Sequence, residues 1–507
     1  MKIIQVLKNE FRDSLFLLKM SNDISNWEGV KQAVVVMATQ NNCKILEQVG
    51  LMEGDAVEAA ADDLIIAIEV EPHVKEAEIL ERLKGRLNKD DNKKSWESTT
   101  YTLEAALEKK PESNMVVIST PGKYAADMAR ESLEAGKHVF CFSQHVSVAD
   151  EIELKKLAIS KNLLMMGPDC GTSIIDGYGL GFANKVRKGC IGLISASGSG
   201  LQEVTTLIHK SGGGIAQAIG VGGRDLSSPM DGMMAEAAIS LLIKDPQVKV
   251  LVILAKKASA IAQKRILQIV EKSKLPLVAD FGLAEELVDN KKKGVVIVNN
   301  YEECAREAIK LAGLKWNIGT THKEFIKWLG ETNISNKKAK VVRGLYAGGS
   351  LCGEAVSIFQ RSNLNLASNL SGPLESYLES EHVFLDLGAE EYTEGRAHPF
   401  IDYRIRVLEL NKAFANQNVA VVVMDVVIGW GSNEDPASEL VKGIRIARQK
   451  YGHGPILIAS VVGTEDDFQQ IEKQKTKLRE ADVFIAESNA MAVTYALEII
   501  NQRRGEM

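Results

Sequence analysis

The chain has 507 residues, 45% hydrophobic and 25% charged, with 41 glycines against 11 prolines and a net charge of −6. That length exceeds what one core organises and predicts roughly three or four α/β domains; the acidic balance, without a long basic block, argues against nucleic acid or a membrane surface as partner. Six scattered cysteines with no CxxC pair argue against a disulfide or zinc framework, and acidic residues inside the first apolar stretch argue against a leader, so a soluble, cytoplasmic protein with no metal and no cofactor is expected.

In chain order, residues 1–95 alternate strands (3–7, 30–37, 64–70) with helices (13–25, 42–48, 74–83), which predicts a small N-terminal α/β sandwich, ferredoxin-like in layout. Arg12-Asp13-Ser14 at a helix start reads as a cap, and the charged run 86–98 as a linker. Residues 99–189 read as a truncated Rossmann-like, CoA-binding-type unit with strands at 115–119, 138–142 and 163–166. His138 and His145 near strand ends read as structural histidines, and Cys170 is a weak candidate nucleophile with no histidine beside it in sequence.

Residues 190–325 carry the most legible chemistry. The apolar run 191–194 enters Ser195-Ala196-Ser197-Gly198-Ser199-Gly200, a helix follows over 201–210, a strand over 215–221, and Gly222-Gly223-Arg224-Asp225 closes the unit. Small residues at a strand-to-helix turn gather free N–H groups at the positive end of a helix dipole, which favours a phosphate or carboxylate. The same glycines also serve an ordinary βαβ turn, so both readings stand at this point. Further strands at 248–254, 277–280 and 294–298, with helices between them, predict a flavodoxin-like doubly wound sheet.

After a second expected linker at 324–340, residues 338–507 repeat that pattern. The strand 341–345 enters Gly348-Gly349-Ser350; the strand 419–424 enters Gly429-Trp430-Gly431-Ser432-Asn433, with Ser432 or Asn433 as helix cap and Pro436 in the first turn. Two doubly wound domains with such loops at the carboxyl ends of their strands predict a shared anion site. Its candidate members are Arg224 as the catalytic charge and Ser195, Ser197, Gly198, Ser199, Gly200, Gly222, Gly223, Gly348, Gly349, Ser350, Gly429, Gly431, Ser432 and Asn433 as phosphate or substrate contacts. Lys256-Lys257 and Glu390-Glu391 near Arg396 and His398 are secondary candidates.

The stretches VVISTPGKYAADMARESLEAGKHVF, LLMMGPDCGTSII and GCIGLISASGSGLQEVTTLIHKSGGGIAQAIGVGGRDL resemble the α-subunit of succinyl-CoA synthetase, and FLDLG, VAVVVMDVVIGWGS and ESNAMAVTYALEII resemble the ligase domain of its β-subunit. The whole chain, with its N-terminal domain and both ligase-like halves, looks most like the FdrA family. Three parts of a synthetase are missing from the resemblance: the first strand and loop of the CoA domain, the ATP-grasp domain, and the histidine expected after the strand at 277–280, where the chain reads Phe281-Gly282-Leu283-Ala284-Glu285-Glu286-Leu287. The resemblance implies a subunit of an oxamate carbamoyltransferase in allantoin and purine breakdown, converting oxalurate and phosphate to oxamate and carbamoyl phosphate. It implies small acyl-phosphate and carboxylate substrates, separately encoded partner subunits or a homo-oligomer, and a phosphate held between the helix N-termini at 197–200 and 429–433. The alternatives are an acyl-CoA synthetase (NDP-forming), succinyl-CoA ligase-like enzyme, and a non-catalytic metabolite-binding scaffold.

Overall fold

The computed structural model describes residues 1–505 apart from 11, 13, 62, 91–101, 283, 285–293, 333–337, 373, 375–380, 395 and 453. Asp13, Leu283, Glu285, Glu286, Leu287 and most of the expected first linker therefore lie outside the described residues. Two compact units form: residues 1–105 with 389–402, and 106–388 with 403–507.

In the first unit, Leu64–Val70 lies between Lys2–Leu7 and Val30–Met37, antiparallel to both. Alternate residues of each strand point to opposite faces. One face packs Val35, Met37, Ile66 and Ile68 under the helices Ser14–Ser25 and Glu76–Asp90, whose Leu17, Ile24, Ile79 and Leu83 are buried there. The other packs Val34, Val36, Ile65 and Ala67 against Leu46, Leu51 and Ala56. This is a small α/β sandwich of three antiparallel strands, one fewer among the described residues than a ferredoxin-like layout has, with the helix Gln40–Gln48 on the face opposite the other two; the third helix runs on to Asp90 and takes the start of the expected linker with it.

The second unit holds three sheets. A small parallel sheet orders Met115–Ile118, His138–Cys141 and Met165–Met166, and among the described residues of this unit no strand precedes it. The seven-stranded sheet runs Val295–Val298, Leu277–Asp280, Val250–Leu254, Lys188–Ser195, Ile215–Gly220, and then the antiparallel hairpin Thr172–Ile175/Tyr178–Gly181. Its five parallel strands have the flavodoxin-like order. These two sheets share one continuous buried core, from Ile118 and Phe140 to Ile253 and Phe281, so the units expected at 99–189 and 190–325 are packed as one body. The six-stranded sheet is all parallel: Leu366–Ser368, His382–Asp386, Val341–Tyr346, Val419–Val427, Ile456–Val462, Val483–Ala486. Runs such as VLVIL and VAVVVMDVV read as continuous apolar strands because helices cover both faces.

The second expected linker is also partly helical. His322–Glu331 forms a helix whose Phe325 is fully buried, stacked on Tyr495 with ring centroids 4.2 Å apart and edge-on to Phe484 at 5.1 Å. A helix Arg404–Ala415, not evident from sequence pattern, buries Arg406, Leu410 and Phe414 under the last sheet.

Candidate functional site

The strand Lys188–Ser195 ends in a turn that Ser195 shapes: its Oγ accepts the Ser197 N–H at 3.0 Å and donates to the Ser197 carbonyl at 2.7 Å. Ser197 then caps the helix Gly198–Lys210, its Oγ accepting the Gly200 N–H at 3.1 Å. In the other half, Val341–Tyr346 leads through Ala347 and Gly348 into the helix Gly349–Arg361. Here the cap comes from a different strand: the buried Asp425 carboxylate accepts the Ala347 N–H at 2.9 Å and the Gly348 N–H at 2.7 Å, while the buried Arg406 donates to it at 3.0 Å.

The two helix starts meet end to end. A Cβ placed on Gly348 would stand 2.8 Å from the Cβ and Oγ of Ser199. Tyr301 sits across the seam, its hydroxyl 3.3 Å from Ser197 Oγ and 3.5 Å from the Ser350 carbonyl. Behind it, Glu354 accepts the Tyr301 N–H at 2.6 Å and the Asn489 side-chain amide at 2.7 Å, and the Asn489 backbone N–H donates to Glu203 at 2.9 Å. Burial pushes the Glu354 carboxyl up to about 8, helped by the charge of Glu203, and pushes Glu203 itself up to about 7.

Beside this seam lies a cavity of about 320 Å³, within the range of small-molecule sites. Lys256, Lys257, Asp280, Gly282, Asn299 and Tyr301 line it from one half; Gly349, Ser350, Gly353, Glu354, Ser357, Arg361, Leu370 and Ser371 line it from the other. Gly282 lies in the loop 281–287, where the resemblance to the synthetases would place a histidine and the sequence has none. Lys256 and Arg361 bring positive charge. Lys256 Nζ stands 3.9 Å from Asp169, and Arg361 donates to the Asn299 carbonyl and Ser357 Oγ.

The structure brings together 197–200 and 348–350 but places other candidates elsewhere. The helix after Gly429 starts only at Pro436, and Asp435, not Ser432 or Asn433, caps it by accepting the Ser438 N–H. Gly429 exchanges hydrogen bonds with Gln469, and Trp430 pairs with Ala183, so this loop is closed by protein partners and presents no helix N-terminus to the seam. The pair of opposed helix starts is therefore 197–200 with 348–350, not 197–200 with 429–433. Gly222 and Gly223 pack on the loop of Gly167, Pro168 and Asp169. Arg224 does not line the cavity: it pairs with the buried Glu151 at 2.8 Å and donates to the Val146 carbonyl. Glu151 in turn holds the fully buried Lys155, which also pairs with Asp225. Arg396, in the first unit, donates to Asn42.

His138 and Cys170 behave as structural groups. His138 Nδ1 accepts the Leu164 N–H; the buried Cys170 thiol is pushed up to about 12 and is no nucleophile. His209 accepts the Arg187 N–H and faces Glu465. Tyr301, Glu354, Glu203, Asn489 and Asp280 were not singled out by sequence reasoning. The available signal was a glutamate on an otherwise apolar helix face at the same place in each half, six residues into LQEVTTLI's helix and six into GEAVSIF's.

Comparison with known proteins matches residues 345–499 to the CoA-ligase family, 186–283 to the CoA binding domain, and 1–105 to the AllF, heavy metal-associated domain. The protein YahF of Escherichia coli (strain K12) is 35% identical over 98% of this chain and 98% of its own. This chain and YahF belong to one succinyl-CoA-synthetase-like family. The family's CoA binding domain falls on the stretch carrying the Ser197 turn, not on the truncated unit before it. The α-subunit of succinate–CoA ligase [ADP-forming] from Aquifex aeolicus (strain VF5) is 28% identical over 28% of this chain and 47% of that subunit, so this chain spans about half of it. The solved ATP citrate lyase from Methanothrix soehngenii, in complex with citrate and coenzyme A, is 14% identical over 80% of this chain and 85% of that one, with a TM-score of 0.34.

The residues present do not fit the metal that a heavy metal-associated domain implies. Cys43 is the one cysteine of residues 1–105, and among the described residues no three His, Cys, Asp or Glu side chains cluster to hold an ion. No helix of the described residues is long and apolar enough to cross a membrane.

Proposed function

We propose that this chain is a cytoplasmic acyl-transfer enzyme of the acyl-CoA-synthetase type, in which inorganic phosphate and a carrier group X exchange an acyl group: acyl–X and hydrogen phosphate give acyl phosphate and HX. One observation carries the reading: a cavity of about 320 Å³ at a helix start, with Gly349 and Ser350, Lys256 and Arg361 on its walls. First-turn N–H groups and flanking cations favour a phosphate, and positioning plus charge stabilisation suffice for acyl transfer. The CoA-ligase and CoA-binding likenesses support the thiol of coenzyme A as X. Without a histidine at the Gly282 turn, this chain alone stops at the acyl phosphate, and a partner subunit or second copy would take the phosphoryl group onward.

A second reading is favoured by that same missing histidine. An enzyme whose end product is itself an acyl phosphate has no use for a phosphohistidine, as in carbamoyl transfer from oxalurate to phosphate. The test is phosphate- or arsenate-dependent breakdown of succinyl-CoA or acetyl-CoA against that of oxalurate, on this chain alone and with co-encoded partners. Phosphate-dependent loss of a thioester supports the first reading, loss of oxalurate the second. No phosphate-dependent turnover of either substrate, in either preparation, overturns the acyl-transfer reading.

A further inference from the structure

Phosphorolysis of an acyl–X bond needs a proton for X, and the synthetase-like scaffold has here lost its histidine. Asp280 ends the strand Leu277–Asp280, two residues before Gly282, and lines the cavity while being only 6% exposed. One of its carboxylate oxygens accepts the Gly282 N–H at 2.9 Å; the other meets no donor among the described residues. A buried carboxyl with one oxygen that no donor among the described residues meets, lining the same cavity as Ser350 and Lys256, is placed for proton transfer rather than for structure.

We propose that Asp280 is the proton-carrying group of this cavity, giving a proton to X as phosphate takes the acyl group and recovering it in the reverse direction. The inference rests on the acyl-phosphate reading above. In the forward step a phosphate oxygen bonds the acyl carbon and the carbon–X bond breaks. Its electron pair goes to X, which takes the Asp280 proton, and the ionised Asp280 takes the proton released by hydrogen phosphate, so charge and atoms balance. A nitrogen leaving group needs that proton most; a thiolate departs with little help.

Burial pushes the Asp280 carboxyl up to about 6, against the pull of the Gly282 N–H and Arg361. The groups that share its cavity or its field are Lys256 and Lys257 from the loop after Val250–Leu254, Tyr301, Glu303 and Cys304 from the helix Tyr301–Leu311, and Glu354 and Arg361 from the helix Gly349–Arg361. An anion bound among these groups raises the Asp280 value further, so binding near pH 7 draws a proton from solution.

The test uses sulfate, a dianion that does not titrate near neutrality, and the full chain. Calorimetry in two buffers of different ionisation enthalpy is expected to show proton uptake on sulfate binding at pH 7, and affinity falling from pH 6 to pH 8. Asp280→Asn is expected to bind sulfate several-fold more tightly at pH 8 and to lose most of the uptake, whereas Glu203→Gln, a buried carboxyl that does not line the cavity, keeps it. Sulfate binding without proton uptake in the native protein, or uptake that persists in Asp280→Asn, overturns the role of Asp280 and leaves the acyl-phosphate site standing. Absence of both sulfate and phosphate binding overturns the site and the inference together. Where the variant fails to fold, absence of proton uptake in the native protein still overturns the role of Asp280.

Discussion

Replacing Gly348 by alanine tests whether the end-to-end contact of the two helices matters. Gly348 has φ −94° and ψ 104°, a conformation any residue adopts, so an added methyl acts by volume alone. That methyl would stand 2.8 Å from Ser199 Cβ and 3.1 Å from Asp425 Oδ2. Reaching the ~3.5 Å optimum for carbon contacts requires the helix starts to part by about 0.7 Å. Overpacking of this kind costs about 1–3 kcal/mol of stability, and a displacement approaching 1 Å at a positioning element lowers turnover by up to roughly 100-fold. The internal control for stability is Gly353→Ala, five residues on and inside the helix that Gly348 caps, where the nearest atom to the new methyl is Leu370 Cδ1 at 4.0 Å; there alanine adds up to about 1 kcal/mol through helix propensity. Urea unfolding and sulfate affinity are measured for both variants and for Gly348→Ala combined with Ser199→Gly, which removes the nearest obstacle. The reasoning fails where Gly348→Ala matches the native protein in both measurements, or where Ser199→Gly restores nothing.

Three further perturbations separate structure from site. Glu203 is neutral in the folded protein up to about pH 7 but ionises near its ordinary 4.5 when unfolded. Its stability contribution is therefore whole below about pH 4.5 and declines as pH rises to about 7, by roughly 1.4 kcal/mol per pH unit. Glu203→Gln keeps an acceptor for the Asn489 N–H, so urea midpoints at pH 5 and pH 7.5 should lie closer together than in the native protein; an unchanged gap refutes this. Lys155→Met leaves Glu151 and Asp225 facing each other with no side-chain exposure, a loss of about 3–5 kcal/mol in unfolding free energy, and a loss under 1 kcal/mol refutes the buried-pair account. Arg224→Ala should leave sulfate affinity at its native value, because Arg224 serves Glu151 and not the cavity; a tenfold loss would return it to the site.

The doubly wound halves were legible because their signals are local. An apolar strand followed by small residues and an amphipathic helix is written within some twenty residues. The hairpin Thr172–Ile175/Tyr178–Gly181 was also local and was missed, although Asp176-Gly177, both at positive φ, is a strong two-residue hairpin signal. Polar stretches were harder: 322–331 looks like linker until Phe325 is seen stacked on Tyr495, more than 150 residues away. The same reach decides the site. Gly222-Gly223-Arg224 and Gly429-Trp430-Gly431 share their composition with Gly348-Gly349-Ser350, and nothing nearby in sequence says that Glu151 claims Arg224 or that Gln469 closes Gly429.

What the fold adds is a near-symmetry between the halves that explains where chemistry is free to vary. Each half supplies a helix start built on glycine and serine, and each buries a glutamate at the sixth position of that helix, Glu203 and Glu354. Asn489 joins the two, by its backbone to one and its side chain to the other. Being matched, these groups fix the seam, and in the proposed reaction it is the unmatched ones that would set its direction. Asp280 and Lys256 line the cavity from the first half, and Arg361 from the second. A scaffold of this kind can lose the histidine at its Gly282 turn and keep the seam intact, because no hydrogen bond described across the seam runs through that turn. Under the proposed phosphorolysis, Asp280→Asn on turnover therefore reports which X is carried: the effect should be large for a nitrogen leaving group and small for a thiolate.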